Sequence, residues 1–486
     1  MTVSYQEALN VILQQAEIQR ETLPDPSELV ALEKAVGRVA SHCYEAVTHT
    51  PSFDCAATNG YAVCSALTSE ARNVAPITFF VYGTQAAGDN PMTVPGVRLN
   101  GAIPCVEITT GARFPKASTN MDFDACVPFE DTIELPGKIH GCKQIQIRRP
   151  VLHNAHRRLA DDDFHLEDEV LRSGMKVTSQ HILALASLGV QTVAVKKIPR
   201  VGVWSTGKEL ESRIDIEQRR DRVPDANGPY IISALEELGI DAEFLGIIDD
   251  EEEAIKQAVT SANRSRFDIL ITTGGTSEGR FDNVRSAIEA CGAEVLFSKI
   301  AVQPGSPTLF ATIPRLPIIS SCRMLSPQPS NGDQFIAFFG LPGGPVAAAA
   351  CMKFFVAAYI KQWRCEPGHE SLGCHLLNIS PQSGTSAKSQ RLSTSHSRPQ
   401  ESDVFKHGTI AINGSTAWAV PSPEQNDSKI KSFLKSSCWM HLPAGPSTKS
   451  NGDVVRCYSI QEGDNIIEKI IFGHERKDET KSASEG

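Results

Sequence analysis

Aromatic residues make up only 6% of this 486-residue chain, and basic residues do not outnumber acidic ones. With 47 Lys and Arg against 57 Asp and Glu, the formal net charge is −10. That excludes the stacking platforms and the positive field of a general nucleic-acid binder. A local site on an acidic protein still takes an anionic substrate. Long apolar runs are missing too. The nearest, Leu341 to Ile360, is broken by Pro342, Gly343, Gly344, Pro345 and Lys353, which argues against a membrane span. The amino terminus has no basic stretch followed by an apolar one, so no secretory signal is read there. The 13 cysteines are scattered and contain no C-x-x-C pair. Neither a disulfide framework nor a structural zinc site follows, and buried thiols in a reducing cytoplasm are expected.

What is present reads as several modules, since the length exceeds one ordinary core. Ser4-x-x-Glu7 is a capping box, and Ala8, Leu9, Ile12, Leu13 and Ala16 follow at helical spacing. A second helix is expected from near Pro26-Ser27-Glu28 to about Gly37. Residues 45 to 150 hold short apolar runs between Gly, Pro and Asn, the pattern of a β domain. From about 178 strands alternate with amphipathic helices: strands over Arg200–Thr206, Ala242–Ile248 and Phe267–Thr273, helices over Pro229–Gly239, Glu251–Asn263 and Asp282–Ala290. That alternation specifies a parallel α/β sheet, whose ligands bind beyond the carboxyl ends of its strands. Ile313 to Asp333 reads as an inserted loop and Ser380 to Ser402 as a Ser-rich linker. Three short strands after it, at 407–412, 416–420 and 454–458, suggest a small terminal β domain, with a polar tail from His474.

Several constellations carry chemistry. Asn59-Gly60 before an apolar residue is a turn, and Thr109-Thr110-Gly111 offers hydroxyls at a strand end. Gly274, Gly275, Ser277 and Gly279 lie between a strand and a helix, where small residues let main-chain amides and a helix terminus meet a phosphate. No Lys-Ser/Thr follows these glycines, so this is not a Walker A loop. Glu209, Asp225, Asp249, Asp250 and Asp282 fall at predicted strand ends and together suit Mg²⁺, although each alone also suits a helix cap. Pro304-Gly305 and Pro342-Gly343-Gly344-Pro345 suggest rigid pocket walls. His153-x-x-His156 lacks a third ligand and is followed by Arg157-Arg158, so exposed histidines are expected there.

Taken in order, these segments resemble the molybdopterin molybdenumtransferase family (MoeA-type), which includes the E domain of gephyrin. The resemblance runs from the first helix to about residue 365, more faintly over 404 to 460. It rests on Ala35–Val39, Phe53–Ala62, Thr109–Ala112, Leu185–Gly189, Pro199–Leu210, Asp225-Ala226-Asn227, Gly246–Asp250, Gly274–Gly279, Asp282, Pro304-Gly305 and Leu341-Pro342-Gly343.

The resemblance implies an α/β plus β, multi-domain fold. An elongated domain would take 1–44 and 150–180, an inserted β domain 45–149, an α/β molybdopterin-binding domain 181–366, and a C-terminal β domain 375–470. It implies a cytoplasmic homodimer whose site joins the α/β domain of one subunit to the Asn59 region of the other. Molybdate would be inserted into adenylylated molybdopterin with release of AMP and use of Mg²⁺, and molybdopterin adenylyltransferase would be a partner. By position, Glu209, Asp250 and Asp282 match catalytic residues, the two aspartates also as metal ligands. Thr110, Ser277 and Asp163 match functional positions as well, and Asn59, Gly274, Gly275, Gly279, Pro304, Gly305, Pro342 and Pro345 line the expected substrate site.

The departures are specific. Family Asp-Gly-Tyr-Ala is here Asn59-Gly60-Tyr61-Ala62, and Gly-Asp-Glu-Leu is Gly207-Lys208-Glu209-Leu210. Lys-Pro-Gly-Lys-Pro, whose lysines line the molybdate pocket in the family, is Gln303-Pro304-Gly305-Ser306-Pro307. Leu-Pro-Gly-Asn-Pro-Val-Ser has become Leu341-Pro342-Gly343-Gly344-Pro345-Val346-Ala347. These losses keep two other readings open: a catalytically impaired scaffold, and a phosphate-ester hydrolase on the same fold.

Overall fold

The computed structural model describes residues 2–23, 26–96, 98–99, 101–118, 122–211, 222–265, 267–275, 283–316, 334–377, 401–445 and 449–461. The chain divides into two compact units, Leu29–Val195 and a second made of Met1–Glu28 with Lys196–Gly486.

In the first unit a six-stranded sheet runs in the order Thr132–Ile139, Cys142–Ile147, Ile77–Gln85, Ile103–Ile108, Gly60–Val63, Ala125–Pro128. Its two faces carry separate cores, one around Ala62, Val106, Ile108 and Phe123, the other around Tyr61, Phe79, Cys105 and Ile145. The alternation of neighbours along single strands, such as Tyr61 and Ala62, is the period of two that a sheet imposes. Beside it, a small helix Ser179–Ser187 and short strands enclose Leu32, Ala35, Leu171, Leu185 and Val193.

The helix expected over 26–37 does not form. Ser27–Ala31 is a strand paired with Thr192–Lys196, followed by a single 3₁₀ turn at Leu32–Lys34. Leu29, which helical spacing would have turned inward, is 73% exposed. Tertiary pairing overrides a weak helical propensity over so few residues.

The second unit is built on a sheet ordered Ala242–Ile248, Val201–Thr206, Ile269–Thr273, Phe335–Leu341, Leu309–Pro314, Glu294–Phe297. The first four strands are parallel. Val201, Val203, Ile269, Ile271, Phe339 and Leu341 point to one covered face, Trp204, Leu270, Ile336 and Phe338 to the other. Burial on both faces explains why these strands read as continuous apolar runs. Each such side chain contributes about 1.5–3 kcal/mol on burial.

The amino-terminal helix Tyr5–Glu21 joins the first face through Ala8, Ile12 and Ala16. Its capping box is formed: Glu7 N donates to Ser4 Oγ at 3.2 Å and Ser4 N to Glu7 Oε2 at 2.8 Å. Helices Glu252–Arg264 and Asn283–Ala290 cover the second face.

Strands Leu372–Leu376, Asp403–Asn413, Thr416–Pro421, Cys438–Leu442 and Val454–Ser459 close on themselves, because Asp403–Asn413 pairs with both Thr416–Pro421 and Cys438–Leu442. Among the described residues the terminal β domain therefore closes as a small barrel. The 12 described cysteines are all free thiols, seven of them buried. No helix among the described residues is long and apolar enough to cross a membrane.

Candidate functional site

Four parallel strands end together, and their following turns touch. Thr206 Oγ1 donates to Thr273 O at 3.1 Å, Gly207 N to Ile248 O at 3.2 Å, and Gly274 N to Leu341 O at 3.1 Å. Gly274 has φ +92°, and a Cβ there would lie 2.4 Å from Thr206 O, so only glycine fits. The next residue, Gly275, also has a left-handed φ of +64°. Two successive left-handed glycines make the kind of turn that can receive a phosphate, although here the Gly274 amide is taken by Leu341 O.

The carboxylates at this edge divide sharply. Asp225 is committed to the scaffold: Oδ1 accepts from Asn227 N at 3.1 Å and Gly228 N at 3.0 Å, and Oδ2 accepts from Ser205 Oγ at 2.7 Å. Asp249 is exposed. Asp250 is different. Its Oδ1 is buried and has no hydrogen-bond partner among the described residues. Burial, and then the neighbouring Glu209 carboxylate, push the Asp250 carboxyl above its ordinary range. Its own carbonyl is held by Asn283 Nδ2 at 2.5 Å. Lys208 ion-pairs with Glu251 at 3.1 Å, both exposed. No group of three or more His, Cys, Asp or Glu that would close a metal site occurs among the described residues. Of the five carboxylates read from sequence, Asp225 is committed to the scaffold, Glu209 and Asp249 both act on Asp250 through their charge, and Asp282 is not described. Ser277, Gly279 and Asp282 lie outside the described residues.

A second cleft of about 350 Å³ opens in the same unit between Gln303–Pro307 and the barrel. Pro304, Gly305 and Ser306 face Lys406, His407, Gln425, Asn426 and Asp427. Burial lowers the Lys406 ammonium and raises the Asp427 carboxyl, so each charge here is costly. His407 is 1% exposed and is held neutral by burial, with Nδ1 2.8 Å from Ser436 Oγ. Pro345 begins a helix that runs Pro345–Cys351, passes a π-turn at Met352–Val356 and continues over Ala357–Trp363. Pro342 O accepts from Thr273 Oγ1 at 3.1 Å, which ties the two Gly-rich turns together.

In the other unit the structure joins two motifs that sequence presented separately. Asn59 Oδ1 accepts from Thr110 N at 2.8 Å and Thr110 Oγ1 at 3.2 Å. Both residues are exposed. An aspartate would accept the same two bonds, so Asn59 keeps the geometry and drops the charge. His153 is exposed and its Nδ1 lies 2.5 Å from Asp124 Oδ2, a buried carboxylate that also accepts from Ser65 N at 2.6 Å. Asp163 pairs with Arg158 at 3.1 Å on the surface.

Comparison with known proteins decides between the uses of such a sheet edge. The family model described as "MoeA N-terminal region (domain I and II)" matches residues 3–189, and "Probable molybdopterin binding domain" matches 202–362. The chain thus carries a MoeA-type N-terminal region followed by a molybdopterin-binding domain. The molybdopterin molybdenumtransferase of Staphylococcus aureus (strain COL) is 29% identical over 447 residues, covering 92% of this chain and 94% of that protein. The one from Bacillus subtilis (strain 168) is 28% identical over 436 residues, 90% of each. Molybdopterin biosynthesis MoeA protein structures from Pyrococcus horikoshii share the fold, with TM-scores of 0.65 and 0.60 at 23% and 22% identity, covering 95% and 94% of this chain and all of theirs. The second matched region carries the glycine turns and Asp250, and the first carries the Asn59–Thr110 pair.

Sequence reasoning missed Lys406 and Asp427 as pocket residues. Nothing local marks them, because they reach the cleft only once the barrel has closed about 100 residues beyond Gln303.

Proposed function

We propose that this chain inserts molybdate into adenylylated molybdopterin and releases AMP, a reading in keeping with the name molybdopterin molybdenumtransferase that its relatives carry. The observation that carries the reading is the sheet edge itself: a double-glycine turn beside a buried, unpartnered carboxylate oxygen on Asp250. Gly275 would offer its main-chain amide to a phosphate, while Gly274, whose own amide is taken by Leu341 O, would set the turn. Glu209 and Asp250 would face the same phosphates, and their mutual repulsion fits a divalent cation. Hard oxygen donors suit Mg²⁺, with Asp250 as the described ligand and Asp282 as the second. When bound, that ion neutralises phosphate charge. Pro304 and Gly305 would wall the molybdate cleft, with Lys406 as the one ammonium among its described lining residues, while Pro342, bonded to Thr273, would belong to the glycine-turn edge and Pro345 to the start of the helix that follows it. A second copy of the chain would supply Asn59 and Thr110, making the working form a cytoplasmic homodimer. Molybdopterin adenylyltransferase would deliver the substrate.

Incubating the purified protein with adenylylated molybdopterin, molybdate and Mg²⁺ tests the reading. AMP forms only with all three present. AMP release unchanged without molybdate would favour the phosphate-ester hydrolase, and none under any condition the impaired scaffold, which the charge-balanced cleft favours.

Asn59→Asp restores a charge without disturbing the acceptor geometry, so turnover rises about three- to tenfold, the scale of about 1 kcal/mol gained in one contact. A flat response in the same AMP assay would remove Asn59 from the site.

A further inference from the structure

We propose that Asn227 is a positioning residue that sets the spacing of the two glycine turns, and through them the seat of the substrate's phosphates. The proposal rests on the functional reading above and extends it to a residue that binds nothing itself.

Asn227 opens the helix Asn227–Glu237 and is 9% exposed. Its Nδ2 donates to Thr273 Oγ1 at 2.8 Å and to Gly343 O at 2.9 Å. Thr273 passes its own hydroxyl proton on to Pro342 O at 3.1 Å. One amide nitrogen therefore holds the turn after Ile269–Thr273 and the turn after Phe335–Leu341 at once. Gly343 sits close behind: a Cβ there would be 3.7 Å from Gly274 Cα.

Asn227 is itself fixed by Asp225, which accepts from its main-chain N and from Ser205 Oγ. The line Ser205–Asp225–Asn227–Thr273–Gly343 thus runs across three neighbouring strands.

The chemistry is selective. Two hydrogens on one atom meet two acceptors. Aspartate would set a carboxylate against the Gly343 carbonyl, and serine has one hydrogen and a shorter reach. Glycine turns are the costliest backbone to order, since each fixed residue loses about 1–2 kcal/mol of conformational entropy. A clamp made during folding removes that loss from the binding step.

The test uses the full chain and the variants Asn227→Ala, Asn227→Asp and Thr273→Val. Two quantities are read: amide hydrogen exchange of the 269–275 segment without ligand, and the Kd for adenylylated molybdopterin beside kcat. In both Asn227 variants exchange at Gly274 and Gly275 quickens by about tenfold, the factor that corresponds to one lost hydrogen bond of about 1.4 kcal/mol. Kd weakens by a similar factor while kcat at saturation falls less. Asn227→Asp recovers affinity as pH is lowered, because its protonated carboxyl again has a hydrogen to give. Thr273→Val removes one arm without touching Asn227 and shifts exchange in the same direction, so the idea survives a variant that fails to fold. Unchanged exchange at Gly274 and Gly275, or a lower melting temperature with unchanged Kd, overturns it. If the wild-type protein binds no adenylylated molybdopterin, the functional reading falls instead, and the exchange data alone decide whether Asn227 holds the turns.

Discussion

Asp250→Asn lowers AMP release by about 10²–10³-fold, the usual effect of removing one electrostatic contact from a water-poor site, and at the same time raises the melting temperature of the ligand-free protein. The two effects share one cause. Asp250 is held with a carboxylate oxygen buried and unpartnered, next to Glu209. Its folded pKa lies above its unfolded value, so near that range the native state binds more protons than the unfolded chain. Stability tied to this group is complete below the unfolded pKa and is lost as pH rises through the folded pKa. At neutral pH the ionised carboxylate is a liability that Lys208 offsets only in part and a bound cation would relieve further, and Asn removes it. Thermal melts below the unfolded carboxyl range, at about pH 3.5, and at pH 8 check the sign: the gap between variant and wild type widens at the higher pH. It narrows again when Mg²⁺ is added, because only the wild type gains. A variant that melts lower at pH 8, or that turns over normally, contradicts this account of Asp250.

Gln303→Lys with Ser306→Lys lowers the molybdate concentration needed for half-maximal turnover by more than tenfold. The cleft lined by these residues also holds Lys406 and Asp427, so its fixed charges nearly cancel. A dianion entering it finds carboxamides, a neutral His407 and one ammonium that burial already weakens. A charged hydrogen bond is worth about 1.5–3 kcal/mol, so even one productive lysine gives the stated factor. The converse change, Lys406→Met, raises half-saturation by a comparable factor. Titrating molybdate at two salt concentrations measures both, and the double-lysine protein shows the steeper salt dependence. An unchanged half-saturation would mean that the oxyanion binds elsewhere.

The α/β sheet was legible because its strands are apolar on both faces and its helices are amphipathic. The expected strand over Arg200–Thr206 is observed as Val201–Thr206, and that over Ala242–Ile248 with the same limits. The helix expected at 26–37 was not legible as a strand, since the partner that defines it, Thr192–Lys196, lies more than 150 residues away. The site followed the same rule. Gly274 and Gly275 announce themselves through local backbone needs. Which carboxylate keeps an unpartnered oxygen does not: Asp225 and Asp250 both follow strands, and only the fold gives Ser205, Asn227 and Gly228 to the first while leaving Oδ1 of the second unpartnered. The Asn59–Thr110 bond joins residues 51 apart, and no periodicity foretells it.

Gly344 carries a lesson about how this pocket can change. Val346 N donates to Asp427 O at 2.8 Å, and a Cβ on Gly344 would meet that same oxygen at 3.2 Å and Asp427 Cβ at 3.4 Å. The space that a side chain would fill is taken by the 425–427 segment. Reintroducing asparagine at 344 by itself would push on that segment and on the hydrogen bond that anchors it. An asparagine at 344 therefore depends on a neighbour more than 80 residues away, and fits only where the backbone at Asp427 gives by a few tenths of an ångström.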